Sequence, residues 1–86
     1  MEKQFEVVRA ISSYSKTTER LVAEISIDLT LEQLKTIFTP HPDDPLLYDA
    51  YSISYEHARQ LHQLDNTVRL DIEQSDYYVE CYQAGT

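Results

Sequence analysis

A chain of 86 residues and 10.0 kDa builds one domain around one modest core, too small for a catalytic cleft walled by two lobes. Its 15 acids against 7 bases give a net charge of −8, and residues 44–86 carry most of it, with eight acids and only Arg59 and Arg69 as bases. Such a surface repels phosphate backbones and anionic membranes and attracts basic proteins, and the single glycine, Gly85, leaves no phosphate-cradling loop to be written.

Cys81 is the only cysteine, which excludes an internal disulfide and a multi-cysteine metal site. No apolar run approaches the ~20 residues of a membrane span, and Met1 opens onto a polar stretch and not onto a signal peptide. These features predict a single cytoplasmic domain over residues 1–86.

Taken in order, Phe5–Tyr14 is rich in β-branched and aromatic residues and reads as a strand. The polar stretch Ser15–Arg20 suits a turn, one longer than two residues because no glycine is present. Leu21–Ile27 alternates apolar and polar residues and reads as the returning strand. Thr30 with Gln33 forms a capping-box pattern ahead of a short helix, Leu31–Phe38. Pro40, Pro42 and Pro45 then stiffen an ordered surface loop. Ser54 is placed to cap a second helix, Tyr55–Leu64, with Glu56 in its first turn. The alternation of Val68, Leu70 and Ile72 with Arg69 and Asp71 predicts a third strand, and Tyr77–Tyr82 a fourth. The order ββααββ implies an α+β fold: a four-stranded antiparallel sheet with short helices on one face and the other face open.

Strand alternation assigns side chains to those faces. Val79 and Cys81 suit the core, so Tyr78, Glu80 and Tyr82 point away from it. On the first strand Phe5, Val7 and Ile11 share the core side, with Arg9 an awkward member, while Glu6, Val8, Ala10, Ser12 and Tyr14 take the open side. On the second, Leu21, Ala23, Ile25 and Ile27 turn inward and Val22, Glu24, Ser26 and Asp28 outward. The open face therefore interleaves tyrosines with carboxylates. Tyrosine supplies rigid contact area with a polar tip, and carboxylates supply steering and charge-assisted hydrogen bonds to lysine or arginine. Seven tyrosines in 86 residues exceed what a solvated sheet needs for its own stability.

Candidate chemistry is thin. His41, Asp43 and Asp44 share the proline loop, but their spacing matches no established metal site. His57 and His62 are five apart on a helix and diverge by about 140°. Cys81 lies on the core side, where a thiol is inert, and none of the serines sits in a nucleophile-elbow context. No catalytic residue, cofactor or metal is expected.

The segments SYSKTTERLVAE (13–24) and LYDAYSISYEHARQLHQL followed by VRLDIEQSDYYVECY resemble, in order and spacing, the cloacin immunity protein family, inhibitors of ribosome-cleaving colicins. They also resemble a wider set of small bacterial proteins with Tyr-Asp-x-Tyr and Asp-Tyr-x-x-Glu patterns. The match covers about 60 residues. It implies a protein that binds the basic nuclease domain of a toxin through its open sheet face, with no direct contact to nucleic acid or membrane. The resemblance places contacts at Tyr14, Leu21, Leu47 and Tyr78 with Glu24 nearby. Together with the face assignment it makes Tyr14, Glu24, Leu47, Tyr78, Glu80 and Tyr82 the candidate partner-binding residues. Leu21 is ambiguous, since its alternation points inward unless a bulge re-aims it. Leu47 stands where the family has a cysteine, and Arg20 where it has an acid. The rival use of the same face is self-association as a homodimer.

Overall fold

The computed structural model describes residues 7–83. Its chain order is β1 (Val7–Ser15), β2 (Leu21–Ile27), α1 (Leu31–Lys35), β3 (Tyr51–Ser52), α2 (Tyr55–Leu64) and β4 (Ser75–Gln83). The strands form one antiparallel sheet in the order β2-β1-β4-β3, the α+β arrangement expected from the sequence. Phe5, Glu6 and Gly85 lie outside the described residues.

The β1–β2 connection closes without glycine. Ser15 N–H donates to Arg20 O and Glu19 N–H to Ser15 O, both at 2.9 Å. Glu19 takes the left-handed conformation (φ 61°) that glycine would otherwise fill. Beyond the turn, the register passes from Ser13↔Ala23 to Tyr14↔Leu21, so Val22 is the extra residue of a β-bulge. The bulge turns Leu21 onto the side of Tyr14, correcting the inward placement that simple alternation gives it; Leu21 is 53% exposed.

Both helices start where their caps predict. Thr30 and Gln33 form a reciprocal capping box on α1. Ser54 caps α2, with His57 Nδ1 accepting from the Ser54 N–H. Only α1 is shorter than its pattern suggested. The Thr36 hydroxyl and N–H both return to Gln33 O, tightening the last turn and ending the helix before Phe38.

The third strand is the main departure from the sequence reading. Val68–Ile72 forms no strand; the neighbour of β4 is β3, paired as Tyr51↔Val79 and Ser52↔Tyr78, and the observed order is ββαβαβ. The alternation at 68–72 is nevertheless real. Val68 is buried and Leu70 and Ile72 half-buried against the core, with Arg69 and Asp71 exposed. It records facing, while the hydrogen-bonding edge of β4 is taken by the end of the proline loop.

The core lies between the sheet and the helices: Ile11, Val79 and Tyr51 from the strands meet Leu34, Phe38, Leu61, Leu47, Ile53 and Val68. Leu34 and Leu61 are fully buried, each contributing roughly 1.5–3 kcal/mol. Arg9, 7% exposed, is accommodated by donating to the carbonyls of Leu47 at 2.6 Å and Leu46 at 2.8 Å, which latches the proline loop to β1. Asp44 organises that loop from within. Its carboxylate accepts from Tyr48 N–H (2.8 Å), Asp49 N–H (3.0 Å) and the Tyr51 hydroxyl (2.7 Å). Burial opposes its charge, but these bonds outweigh burial and hold the carboxyl below the usual range.

Candidate functional site

Among the described residues, both helices contribute to the core and neither covers the opposite sheet face. The register places Val8, Ala10, Ser12 and Tyr14 of β1 on it, opposite Tyr82, Glu80, Tyr78 and Asp76 of β4. Ser26, Glu24 and Leu21 of β2 complete it on the other flank. Five of the six candidate contact residues, Tyr14, Glu24, Tyr78, Glu80 and Tyr82, therefore share this face. Leu47 does not. It is 2% exposed and packed in the core, because the loop turns there through a left-handed residue (φ 55°) and buries the side chain behind its Arg9-bound carbonyl. The contact role that the resemblance gave it is withdrawn.

The face is built on small residues. Ala10 and Ser12 are 2% and 0% exposed although no helix lies over them; their cover is the ring of larger side chains around them. Tyr14 and Tyr78 meet edge-to-face, centroids 5.6 Å apart and planes at 79°, a pair worth ~0.5–1.5 kcal/mol beyond its area. Beside them, two carboxylates converge on two hydroxyls. Ser12 Oγ donates to Glu80 Oε2 and lies 3.4 Å from Glu24 Oε2. The Tyr82 hydroxyl lies 2.7 Å from Glu80 Oε2 and 2.8 Å from Glu24 Oε2, and its single proton is shared between them.

Each carboxylate oxygen is thus one hydrogen bond from the same phenol, and among the described residues no cationic side chain pairs with either. Among the described residues the two ion pairs are Lys16–Asp76 (2.7 Å) and Arg59–Glu56 (2.5 Å). The first borders the face without reaching Glu24 or Glu80. The phenols register the excess negative charge. Hydrogen bonding to Glu80, partly opposed by Ser12 and reinforced by Glu24 and burial, pushes Tyr82 up to about 12. Burial, followed by the charges of Glu80 and Glu24, raises Tyr14. A depression of about 360 Å³ adjoins the node, lined among others by Tyr14, Tyr78, Glu80 and Asp76. Chemically, the face is a cation acceptor flanked by aromatic edges: two carboxylates preset by hydroxyls, with room beside them for a long side chain.

The remaining sequence candidates serve structure. The carboxylate of Asp44 is committed to its loop, and the His41 ring packs on Tyr51 at 4.8 Å. His62 Nδ1 lies 2.9 Å from Val68 O. Cys81 is half-buried and free. Among the described residues no three His, Cys, Asp or Glu side chains are grouped to hold a metal, and no helix is long and apolar enough to cross a membrane. Ser12 and Leu21 are the site residues that pattern reading undervalued. The signal for Ser12 was the small pair Ala10 and Ser12 in mid-strand, where the alternation calls for outward side chains yet leaves room for larger neighbours to fold over.

The model of a family described as a domain of unknown function, DUF7683, matches residues 8–80, a span from the first residues of β1 well into β4. No curated protein and no solved structure matches the chain.

Proposed function

We propose that this chain, which belongs to the DUF7683 family, is a small acidic binding protein of toxin-immunity type that docks a basic nuclease domain on its open sheet face and blocks it. It acts in the cytoplasm, by occlusion and without chemistry of its own. The observation that carries the reading is the node at Glu24, Glu80, Ser12 and Tyr82: two carboxylates brought together on two hydroxyls and, among the described residues, paired with no cation, beside the Tyr14–Tyr78 pair. A nuclease must be cationic to hold nucleic acid, so its own binding surface is what such a face attracts. The net charge of −8 speeds the encounter, and the tyrosines set the lifetime of the complex. The same charges disfavour stacking two copies face to face, since Glu24 and Glu80 of each would meet those of the other.

The test begins at the adjacent reading frame, where a large protein ending in a lysine-rich domain is expected, and proceeds to a complex between that domain and this chain. A one-to-one complex is expected whose association slows steeply with added salt. The double variant Tyr78→Ala/Glu80→Ala should keep its circular dichroism and lose at least about tenfold in affinity. Wild-type affinity in that variant, or a genomic neighbourhood without such a reading frame, refutes the proposal.

A further inference from the structure

Strand β2 is the outer strand of the sheet, and it is exposed on both faces. Every residue from Leu21 to Ser26 is exposed, including Val22 at 63% and Ile25 at 47%. The helices cover β1, β4 and β3 but stop short of β2, where only Ile27 packs against the core. Among the described residues no other element bonds to its outer edge. Seven residues of extended chain present a hydrogen-bonding edge of about 23 Å. The usual protections of an edge are proline, lysine, inward charge or bulges. β2 carries neither proline nor lysine, and its defences are the bulge at Val22 and the single charge of Glu24.

We infer that the outer edge of β2 accepts an extended, basic segment of a partner as an added strand, with lysine or arginine beside Glu24 and apolar side chains beside Ala23 and Ile25. The inference rests on the docking face proposed above and specifies how a partner on that face continues around its rim. The two sides of β2 dictate the alternation. Ala23 and Ile25 lie beside Ser13 and Ile11 on the core side of the sheet, and an added strand carrying β-branched residues there would cover their exposed apolar surface. Glu24 lies on the opposite side, joined to Glu80 through Tyr82, and Asp28 follows the end of the strand. A residue paired with Glu24 sits ~4.5–5.5 Å from it between Cβ atoms, within easy reach of a lysine. A second copy of this chain fits poorly. It brings −8 against −8, and a strip one strand wide falls far short of the ~800 Å² per partner that a stable interface of rigid domains needs. A flexible segment meets neither obstacle, drawing its affinity from main-chain hydrogen bonds and its selectivity from alternate side chains.

The experiment follows amide exchange across the full chain by NMR while adding an acetylated heptapeptide that alternates valine and lysine. The β2 amides that point away from β1 are expected to slow by about tenfold or more. The same peptide N-methylated along one edge should bind at least about tenfold more weakly, as should a valine–glutamate version. Ile25→Lys, a change at an exposed position, should weaken the valine–lysine peptide by about tenfold without altering the circular dichroism. Three results overturn the inference: no binding at millimolar peptide, N-methylation without effect, or protection of β2 that rises with protein concentration in the absence of peptide. Shifts confined to Tyr14, Tyr78 and Tyr82 with β2 unchanged also overturn it, while leaving the docking-face proposal standing. Loss of the nuclease complex, conversely, is read only from the Tyr78→Ala/Glu80→Ala variant.

Discussion

Leu47 offers the sharpest test, because the family resemblance makes it a surface contact and the structure makes it core. Leu47→Ala removes three carbons from a side chain 2% exposed. At ~0.8 kcal/mol per methylene, with the cavity added, the cost is about 3 kcal/mol. A domain of this size holds only about 4–13 kcal/mol in total, so the midpoint of urea unfolding should fall markedly while the slope stays unchanged. The melting temperature should drop by about 4–8 °C for each kcal/mol. The backbone adds a second, opposite expectation. Leu47 sits at φ 55°, where a side-chain-bearing residue is disfavoured by ~1–2 kcal/mol. Leu47→Gly releases that cost and loses ~0.5–1 kcal/mol to the freer unfolded chain. The one further carbon it removes costs ~0.8 kcal/mol, so the glycine variant should be about as stable as the alanine one, whereas at an unstrained site it would be weaker by ~1.3–1.8 kcal/mol. A cost below about 1 kcal/mol for Leu47→Ala would refute the burial argument. A glycine variant clearly weaker than the alanine would refute the strain argument.

Other outcomes follow from the same contacts. Tyr82, pushed up to about 12 from 10.0, favours the protonated phenol in the folded state; its stabilisation is complete below pH 10 and disappears as pH rises toward about 12. Absorbance titration of the tyrosinates should show several phenols delayed beyond the ordinary range, Tyr14, Tyr51, Tyr55 and Tyr82, and the last of these steps should vanish in Tyr82→Phe; a last step unchanged in that variant would refute the assignment. Asp44 behaves in the opposite sense. Its folded value lies below 3.8, so its contribution is present above that pH and fades as the pH falls below it, and Asp44→Asn should flatten the acid limb of a pH–stability curve. Arg9→Met removes the donors to Leu46 O and Leu47 O and should speed proteolytic cleavage in the loop between α1 and β3; an unchanged rate would mean the latch is idle. Ser54→Ala removes the α2 cap and should cost ~0.5–2 kcal/mol in urea unfolding.

Local chemistry was readable wherever a short segment decides its own conformation. The capping patterns at Thr30 and Ser54 place both helix starts, and alternation in Tyr77–Tyr82 puts Tyr78, Glu80 and Tyr82 on one side. What resisted reading was set by distant partners. β3 is two residues long and exists because Tyr51 and Ser52 meet Val79 and Tyr78, a pairing that no local pattern announces. Val68–Ile72 has the periodicity of a strand and lies against the core, yet the edge it would need is occupied. Leu21 depended on one extra residue in the ladder, and a bulge leaves little trace in composition. The site followed the same rule. Its rings and acids were legible from alternation, whereas the convergence of Glu24 and Glu80 on Ser12 and Tyr82 required knowing that β2 and β4 flank the same central strand.

That central arrangement has a consequence for how the domain comes into being. β1 is bonded on one side to β4, with Val7 opposite Gln83 and Val8 opposite Tyr82, so the two longest strands are separated by almost the whole intervening sequence. During synthesis the early hairpin emerges with one flank bare, and among the described residues the strand that closes it begins only at Ser75. Folding must wait for the late strand to clear the ribosome. Until then the nascent chain displays the ladder groups of β1 that its mature form conceals.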